Sequence, residues 1–235
     1  AAIDSYKQAI KIKPDHADAY NNMGNALNKK GELDAAIDKY EHALSIKPDS
    51  AYFFINYAIL LVQVSTLYSL NEELQTFRNG RLQELLVENP KYHILQSIIY
   101  FLNADLKASS GSLEKYKMLE KVGKVKDLND KDQMFCSAYA QFTNHLIKKF
   151  PSQPVFNKSK IYHIGESHCL SYAHHSLIGE QQIFTVSPRI TFGAKAYHFS
   201  KPKNNEFKSI TKQNLNLLPK KSLVFICFGE IDCRI

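Results

Sequence analysis

The chain has 235 residues, of which 44% are hydrophobic and 11% aromatic, and its formal net charge is +7. This length predicts one or two domains, and the composition excludes disorder as the default state. The longest apolar run, at 51–64, is interrupted by Asn56 and Gln63 and is too short to cross a bilayer, so we expect a buried helix and no membrane span.

The excess positive charge lies in the last third of the chain. Residues 151–235 hold 11 Lys and Arg against 5 Asp and Glu, whereas residues 1–150 hold 19 against 18. A basic patch can bind nucleic acid by displacing the counterions of phosphates. Because no Arg-rich or aromatic-interleaved stretch is present, a solvated basic surface is favoured and no nucleic-acid partner is expected.

The termini and the cysteines bear on the cellular compartment. The chain does not begin with Met and shows no signal peptide, so we expect a fragment of a cytoplasmic protein. Four widely spaced cysteines are typical of free thiols in a reducing compartment. A nucleophilic Cys169 is an alternative, although buried inert cysteine is commoner.

Residues 1–66 contain an internal repeat. At a shift of 34 residues the chain pairs identical residues with each other, among them Ala2 with Ala36, Tyr6 with Tyr40, Ala9 with Ala43, and Pro14 with Pro48. In the complete unit, at 17–50, small residues fall where two helices must approach closely, Gly31 supplies the turn and Pro48 stops the second helix.

This pattern resembles the tetratricopeptide repeat (TPR) family. The resemblance rests on positions spread over the complete unit: Tyr20, Met23, Gly24, Leu27, Ala36, Tyr40, Ala43 and Pro48. It implies an all-α solenoid whose concave groove binds an extended peptide or a protein partner. Further repeats upstream are expected, because such helices need stacked neighbours to bury their apolar faces.

The groove positions of the repeat are rich in asparagine. The resemblance assigns to the groove Asp18, Asn21, Asn22, Asn25 and Asn28, and Asn56 follows Asn22 by 34 residues. We predict a peptide-binding ladder at Asn21, Asn22, Asn25 and Asn56, since each amide both donates and accepts hydrogen bonds. The resemblance extends to the repeats of O-GlcNAc transferase. Soluble helix-surface asparagines are the alternative.

Residues 67–150 are expected to form a helical extension that caps the solenoid. Helices are predicted before Pro90, over 92–108 and over 130–150, with a loop at the Ala-Ser-Ser-Gly-Ser stretch near Ser110. We expect no chemistry in this region, and His93 and His145 are interpreted as partly buried helix residues.

A linker is predicted at 151–159, where two prolines fall close together, and an α/β domain at 160–235. Three β-rich runs at 160–165, 181–186 and 221–229 show little alternation in two cases, which is typical of parallel strands buried on both faces. A helix is predicted over 167–180. The predicted fold class is therefore α + α/β, a helical solenoid followed by the start of a three-layer α/β domain with a parallel sheet.

Ser167 is the candidate nucleophile of this domain. It follows the first strand after the tight bend at Gly165 and starts a helix, so its hydroxyl is expected at the carboxyl edge of the sheet. Backbone N–H groups at the helix start suit a developing oxyanion. The segment 228–234 leaves the third strand at the same edge, so the two turns should converge.

These motifs resemble the SGNH, or GDSL-type, hydrolases over residues 158–235. Gly165-Glu166-Ser167 is similar to the family's first block, Gly193 to its oxyanion glycine, and Gly229-Glu230-Ile231-Asp232 to its third block. The resemblance implies an ester hydrolase or acyltransferase, with acylated glycans as a substrate class and no cofactor. It assigns Ser167, Gly193 and Asp232 to catalysis, and to the substrate pocket Glu166, His168, Gly229, Glu230 and Arg234.

Two departures bear on the predicted activity. Ile231 stands where the family has an oxyanion asparagine, and an apolar side chain cannot donate that hydrogen bond. No Asp-x-x-His block follows Asp232, so the histidine that would activate the serine is expected beyond Ile235. We therefore expect this fragment by itself to be inactive.

Four histidines near the motif are candidates to replace that base: His163, His168, His174 and His175. His163 on the strand and His168 beside Ser167 are not positioned to activate it by spacing alone. A zinc site from His168, Cys169, His175 and Glu180 is the weaker alternative, since it lacks a histidine pair on one helical face, and no metal is expected.

Two further functions stay open. The α/β part could be a degenerate, non-enzymatic scaffold, which Ile231 and the missing base favour. It could also bind a sugar or a nucleotide through Glu230, Asp232 and Arg234.

Overall fold

The computed structural model describes residues 2–65, 80–150, 159–179 and 182–228. Its first part is a run of four antiparallel helices with short turns: α1 (Ala2–Ile12), α2 (Ala17–Lys30), α3 (Leu33–Ile46) and α4 (Ala51–Val64). Gly31 ends α2 in the left-handed conformation, with φ of 80° and its N–H bonded to Asn28 O. Ser50 caps α4 through its side chain.

The repeat helices pack through the residues that the 34-residue period singles out. Ala36, Tyr40, Ala43 and Tyr57 are all buried in one hydrophobic core. The alanines permit close approach of neighbouring helices, and the tyrosines fill the space between them while their hydroxyls reach polar partners. The helical solenoid predicted from the repeat is confirmed in these residues.

A second group of helices follows. It contains α5 (Gly80–Val87), α6 (Pro90–Leu102), α7 (Leu106–Lys121), a 3₁₀ turn (Lys124–Asp127) and α8 (Asp130–Lys148). Asn89 and Asn129 cap α6 and α8 through their side chains, and Pro90 takes the first turn of α6. The part of the predicted helix before Pro90 that falls at 71–79 lies outside the described residues.

The loop predicted near Ser110 is wrong, because α7 runs through that stretch. Ser109 of this stretch faces Ser97 on α6. Ser109 Oγ donates to Ser97 O on α6 at 2.8 Å, and Ser97 Oγ donates to Ser109 O at 3.0 Å. Small polar side chains that satisfy each other allow α6 and α7 to pack closely, so tertiary contact overrides the loop preference of the local sequence.

The sheet has four described strands: β1 (Ser159–Gly165), β2 (Ser176–Ile178), β3 (Ile183–Ile190) and β4 (Leu223–Cys227). Their order is β2-β3-β1-β4, with β1 parallel to both β3 and β4 and β2 antiparallel to β3. Two helices, α9 (Ala196–Ser200) and α10 (Glu206–Asn216), connect β3 to β4. The predicted α + α/β fold class is confirmed.

The helix predicted over 167–180 is also wrong. A 3₁₀ helix (Ser167–Tyr172) ends early, and His174 adopts a left-handed φ of 63°. The chain then pairs with β3, because His174 N donates to Val186 O and Val186 N donates to His175 O, both at 2.9 Å. These sheet hydrogen bonds replace helical ones and produce β2.

The burial expected for the third strand is not observed either. Leu223, Phe225 and Ile226 on β4 are each more than half exposed among the described residues. Elsewhere the helices of residues 2–150 share one core with the sheet segment, the described residues from 159 to 228, which contributes Leu170 and Ile190. Helix α10 of the sheet segment packs against α2, α3 and α4. Within the described ranges, no helix is long and apolar enough to cross a bilayer.

Candidate functional site

The carboxyl ends of the parallel strands meet at one edge of the sheet. Gly165 at the end of β1 is in register with Ile190 at the end of β3 and with Cys227 at the end of β4. A side chain at position 165 would come within 2.6 Å of Cys227 O, so the close approach of the strands requires glycine there. The segments that carry Ser167 and Gly193 both leave the sheet at this edge.

Ser167 belongs to a polar cluster centred on Glu166. The Glu166 carboxyl is buried, with 4% of the residue exposed, and it accepts a hydrogen bond from Ser167 Oγ at 2.9 Å. Its other oxygen is paired with His168 Nδ1. One buried carboxyl group therefore orients both a hydroxyl and an imidazole.

Tyr139 from α8 completes this cluster. Burial raises the pKa of its phenol, which keeps it protonated, and its proximity to Ser167 acts in the opposite direction. No motif in the sequence of α8 predicts chemistry there. A pattern of aromatic residues at helical spacing, Phe135, Tyr139 and Phe142, is the signal that could have pointed to a shared surface.

Aromatic rings from α8 line the same region. The Phe142 ring centroid lies 6.2 Å from that of His168. Phe192, which precedes Gly193, packs against Phe135 and Tyr139 at centroid distances of 5.9 and 5.4 Å, both edge to face. Helix α8, in the helical segment of residues 80–150, thus packs beside the edge of the sheet at which Ser167 and Gly193 lie.

Gly193 occupies a tight turn just beyond β3. Its φ is 70°, and a Cβ at this position would have no atom within 4 Å. Ala194 N donates to Thr191 O at 3.3 Å, and Thr191 N donates to Gly165 O at 2.7 Å, which joins this turn to the end of β1. Positive φ at the third residue of the turn explains the glycine.

Four predicted site residues follow β4 in the sequence and lie outside the described residues: Gly229, Glu230, Asp232 and Arg234. So does Ile231, the residue in the position of the family's oxyanion asparagine. Their roles stay predictions.

The other histidines of the motif serve different contacts. His163 is buried on β1, which lowers its pKa, and its ring lies 5.7 Å from that of Tyr172. His174 Nε2 is hydrogen-bonded to Phe101 O at 2.6 Å, and the His175 ring lies 5.1 Å from that of Phe150. These two histidines therefore join the sheet segment to the helical segment.

The alternatives of a metal and of a cysteine nucleophile find little support in the described residues. Within those ranges no group of three His, Cys, Asp or Glu is arranged to hold a metal ion. Glu180, one of the ligands considered, lies outside them. Cys169 is fully buried, and burial raises the pKa of its thiol, so the reactive thiolate is disfavoured.

The asparagines of the repeat form a hydrogen-bonded row. Asn56 Nδ2 donates to Asn21 Oδ1 at 3.1 Å, and Asn21 Nδ2 donates to Asn22 Oδ1 at 3.5 Å. Asn25 Oδ1 accepts from Tyr40 O–H at 2.7 Å. Asn21 is buried, whereas Asn22, Asn25 and Asn56 are half-buried. The row therefore joins α2 to α4 and keeps three amides at the surface.

The turn end of this repeat contacts the sheet segment. Asn204 Nδ2 donates to Lys30 O at 3.4 Å, and a Cβ on Gly31 would come within 2.6 Å of Asn205 O. Burial raises the pKa of the nearby Glu206, although Lys29 acts in the opposite direction.

Comparison with known families identifies the first part of the chain. Residues 1–31 match the model of the TPR repeat, and residues 17–50 match that of the tetratricopeptide repeat. The N-terminal segment is thus a tetratricopeptide-repeat segment, a class of module that binds proteins and peptides. A search of curated proteins finds no match to the chain.

Proposed function

We propose that the repeat segment recruits a protein or peptide partner to an SGNH-like serine ester hydrolase or acyltransferase, with Ser167 as its nucleophile. The observation that carries the proposal is the cluster at the carboxyl edge of the sheet, where the buried Glu166 holds both Ser167 and His168. Resemblance to the SGNH family supports the assignment of this edge to ester chemistry.

In this reaction Ser167 Oγ forms a bond with the acyl carbon of an ester while a general base takes its proton. The ester C–O bond breaks, and the base returns the proton to the departing alcohol. The amides of Ser167 and Gly193 would stabilise the oxyanion. Water or a second alcohol then takes the acyl group from the serine. The resemblance favours acylated glycans as substrates, and it assigns Asp232 to orienting the pocket.

The experiment is turnover of p-nitrophenyl acetate by the protein made from its complete gene. Ser167→Ala should reduce the rate to background, since a serine nucleophile and its base act as a unit. Ser200→Ala, which removes an exposed hydroxyl in the same segment, is the matched control. Equal rates in wild type and Ser167→Ala would exclude the hydrolase.

For the repeat segment, we propose an extended peptide as the ligand of the asparagine row. The hydrogen bonds within the row use only one polar atom of the side-chain amide at each end, Nδ2 of Asn56 and Oδ1 of Asn22. Asn22 Nδ2 and Asn56 Oδ1 remain to donate to, and accept from, a peptide backbone irrespective of its side chains.

A panel of extended peptides tests this mode of binding. Asn22→Ala should weaken the affinity by roughly three- to tenfold, the net value of one hydrogen bond. Gln8→Ala, on the exposed face of α1, should leave it unchanged. Unaltered affinity in Asn22→Ala contradicts the ladder without affecting the proposal for Ser167.

A further inference from the structure

Gln63 is a buried amide at the end of a repeat helix. It follows Asn56 by seven residues, two helical turns, and so lies on the same face of α4 as the asparagine row. Both ends of its amide have partners. Nε2 donates to Ile59 O at 3.0 Å, and Oε1 accepts from Phe192 N at 2.8 Å. A repeat helix thus makes a direct hydrogen bond to the turn that carries Gly193.

This turn is held from three sides. Gln63 fixes the Phe192 N–H, the aromatic rings of α8 hold the Phe192 side chain, and Gly165 O accepts from Thr191 N. The peptide between Phe192 and Gly193 follows directly, so the direction of the Gly193 N–H depends on how Phe192 is held. An oxyanion donor acts only if it is positioned before the reaction.

A second contact comes from the same end of α4. Arg189 is the residue before the end of β3, and its Nη1 donates to Ser65 O at 3.3 Å. Burial lowers the pKa of Arg189, which fits a guanidinium enclosed between the two segments. The C-terminal end of α4 is therefore attached to the strand and to the turn that follows it.

We propose that Gln63 is a positioning residue for the Ser167 centre, through which the repeat segment sets the orientation of the Gly193 amide. The inference rests on the proposed function for the catalytic role of Gly193. It makes the repeat segment a structural part of the site, so that a partner that displaces α4 changes the reactivity of Ser167.

The experiment compares Gln63→Leu with Gln63→Glu in the protein made from its complete gene. Leucine removes the acceptor for Phe192 N–H, whereas glutamate retains it. The first readout is hydrogen exchange of the Phe192 amide by NMR, which does not depend on catalysis. We expect exchange to quicken about tenfold in Gln63→Leu and to stay near wild type in Gln63→Glu. Gln8→Leu, on the exposed face of α1, is the control for the substitution itself.

The second readout is the rate at which a fluorophosphonate probe labels Ser167. Gln63→Leu should slow it by roughly ten- to a hundredfold, as expected when a catalytic group is displaced by about 1 Å. Thermal unfolding of each variant separates this effect from loss of the fold. Gln63→Glu should also lose stability, because its buried carboxyl replaces the donor to Ile59 O, and yet it should recover labelling.

The two proposals fail in different ways. If the wild type is not labelled while Phe192 exchange quickens in Gln63→Leu, the hydrolase fails and the structural role of Gln63 stands. If the wild type is labelled and Gln63→Leu changes neither exchange nor labelling, the positioning role is overturned.

Discussion

Helix α4 of the repeat segment and strand β4 of the sheet bury their apolar residues to very different extents. In the repeat helices, large side chains such as Phe54 and Tyr57 are 1% exposed, whereas Phe225 and Ile226 on β4 are 55% and 56% exposed. The repeat helices find their partners among neighbours in the sequence. The sheet instead depends on residues far along the chain, and β1 and β3 are more buried toward their carboxyl ends than at their starts.

Truncating one phenylalanine in each region gives the largest expected contrast. Phe54→Ala should lower the free energy of unfolding by about 3–5 kcal/mol, since it leaves a cavity in a packed core. Phe225→Ala should change it by about 0.5 kcal/mol or less, as exposed substitutions do. Urea denaturation followed by circular dichroism measures both. Equal losses in the two variants would show that β4 is covered in solution.

Two glycines with positive φ provide the next comparison. Gly31→Ala would place a Cβ against Asn205 O in the sheet segment, whereas Gly193→Ala meets only the strain of its left-handed φ. We expect Gly193→Ala to cost about 1–2 kcal/mol of unfolding free energy from strain. Gly31→Ala should cost a further ~1–3 kcal/mol from the clash. Similar losses would mean that α10 does not pack on the repeat turn.

The smallest expected effect is a pH dependence at the junction between the segments. Burial lowers the pKa of His174 from its ordinary value, although its hydrogen bond to Phe101 O acts in the opposite direction. The unfolded state therefore binds a proton at a higher pH than the folded state does. The contribution of neutral His174 to the free energy of unfolding is present above about pH 6.5. It is lost as the pH falls below that value, by up to ~1.4 kcal/mol per pH unit.

His174→Asn tests this contribution. Asparagine tolerates the left-handed φ of this position and does not titrate. Denaturation midpoints measured from pH 7.5 to 5 should decline less steeply in the variant than in the wild type. Identical slopes would assign the acid sensitivity to other groups, such as His93 or His163, whose pKa values are also lowered by burial.

The sequence predicts the repeat helices well because their rules are local. The glycine turn at Gly31 acts within a few residues of the hydrogen bonds it forms, and the 34-residue period repeats the same pair of helices along the chain. β1, β3 and β4 were also predicted, since β-branched runs of this length have few alternatives, whereas β2 lies in a stretch predicted as helix. The placement of Ser167 and Gly193 at one edge follows from the parallel order of β1 and β3.

The contacts around Ser167 were not predictable in the same way. Tyr139 and Ser167 come from different segments, and Gln63 and Phe192 are 129 residues apart. No local pattern reports such pairs. The serines of α7 and the 3₁₀ turn after Ser167 were misread for a related reason, because partners in α6 and β3 decide their conformation.

The most direct test of the account is to find which residue a fluorophosphonate probe modifies in the protein made from its complete gene. Peptide mass spectrometry should locate the label on Ser167, and the label should be lost in Ser167→Ala and retained in Ser200→Ala. Absence of label, or a label on another residue, would contradict the assignment of Ser167 as the nucleophile and leave the protein-binding function of the repeat segment.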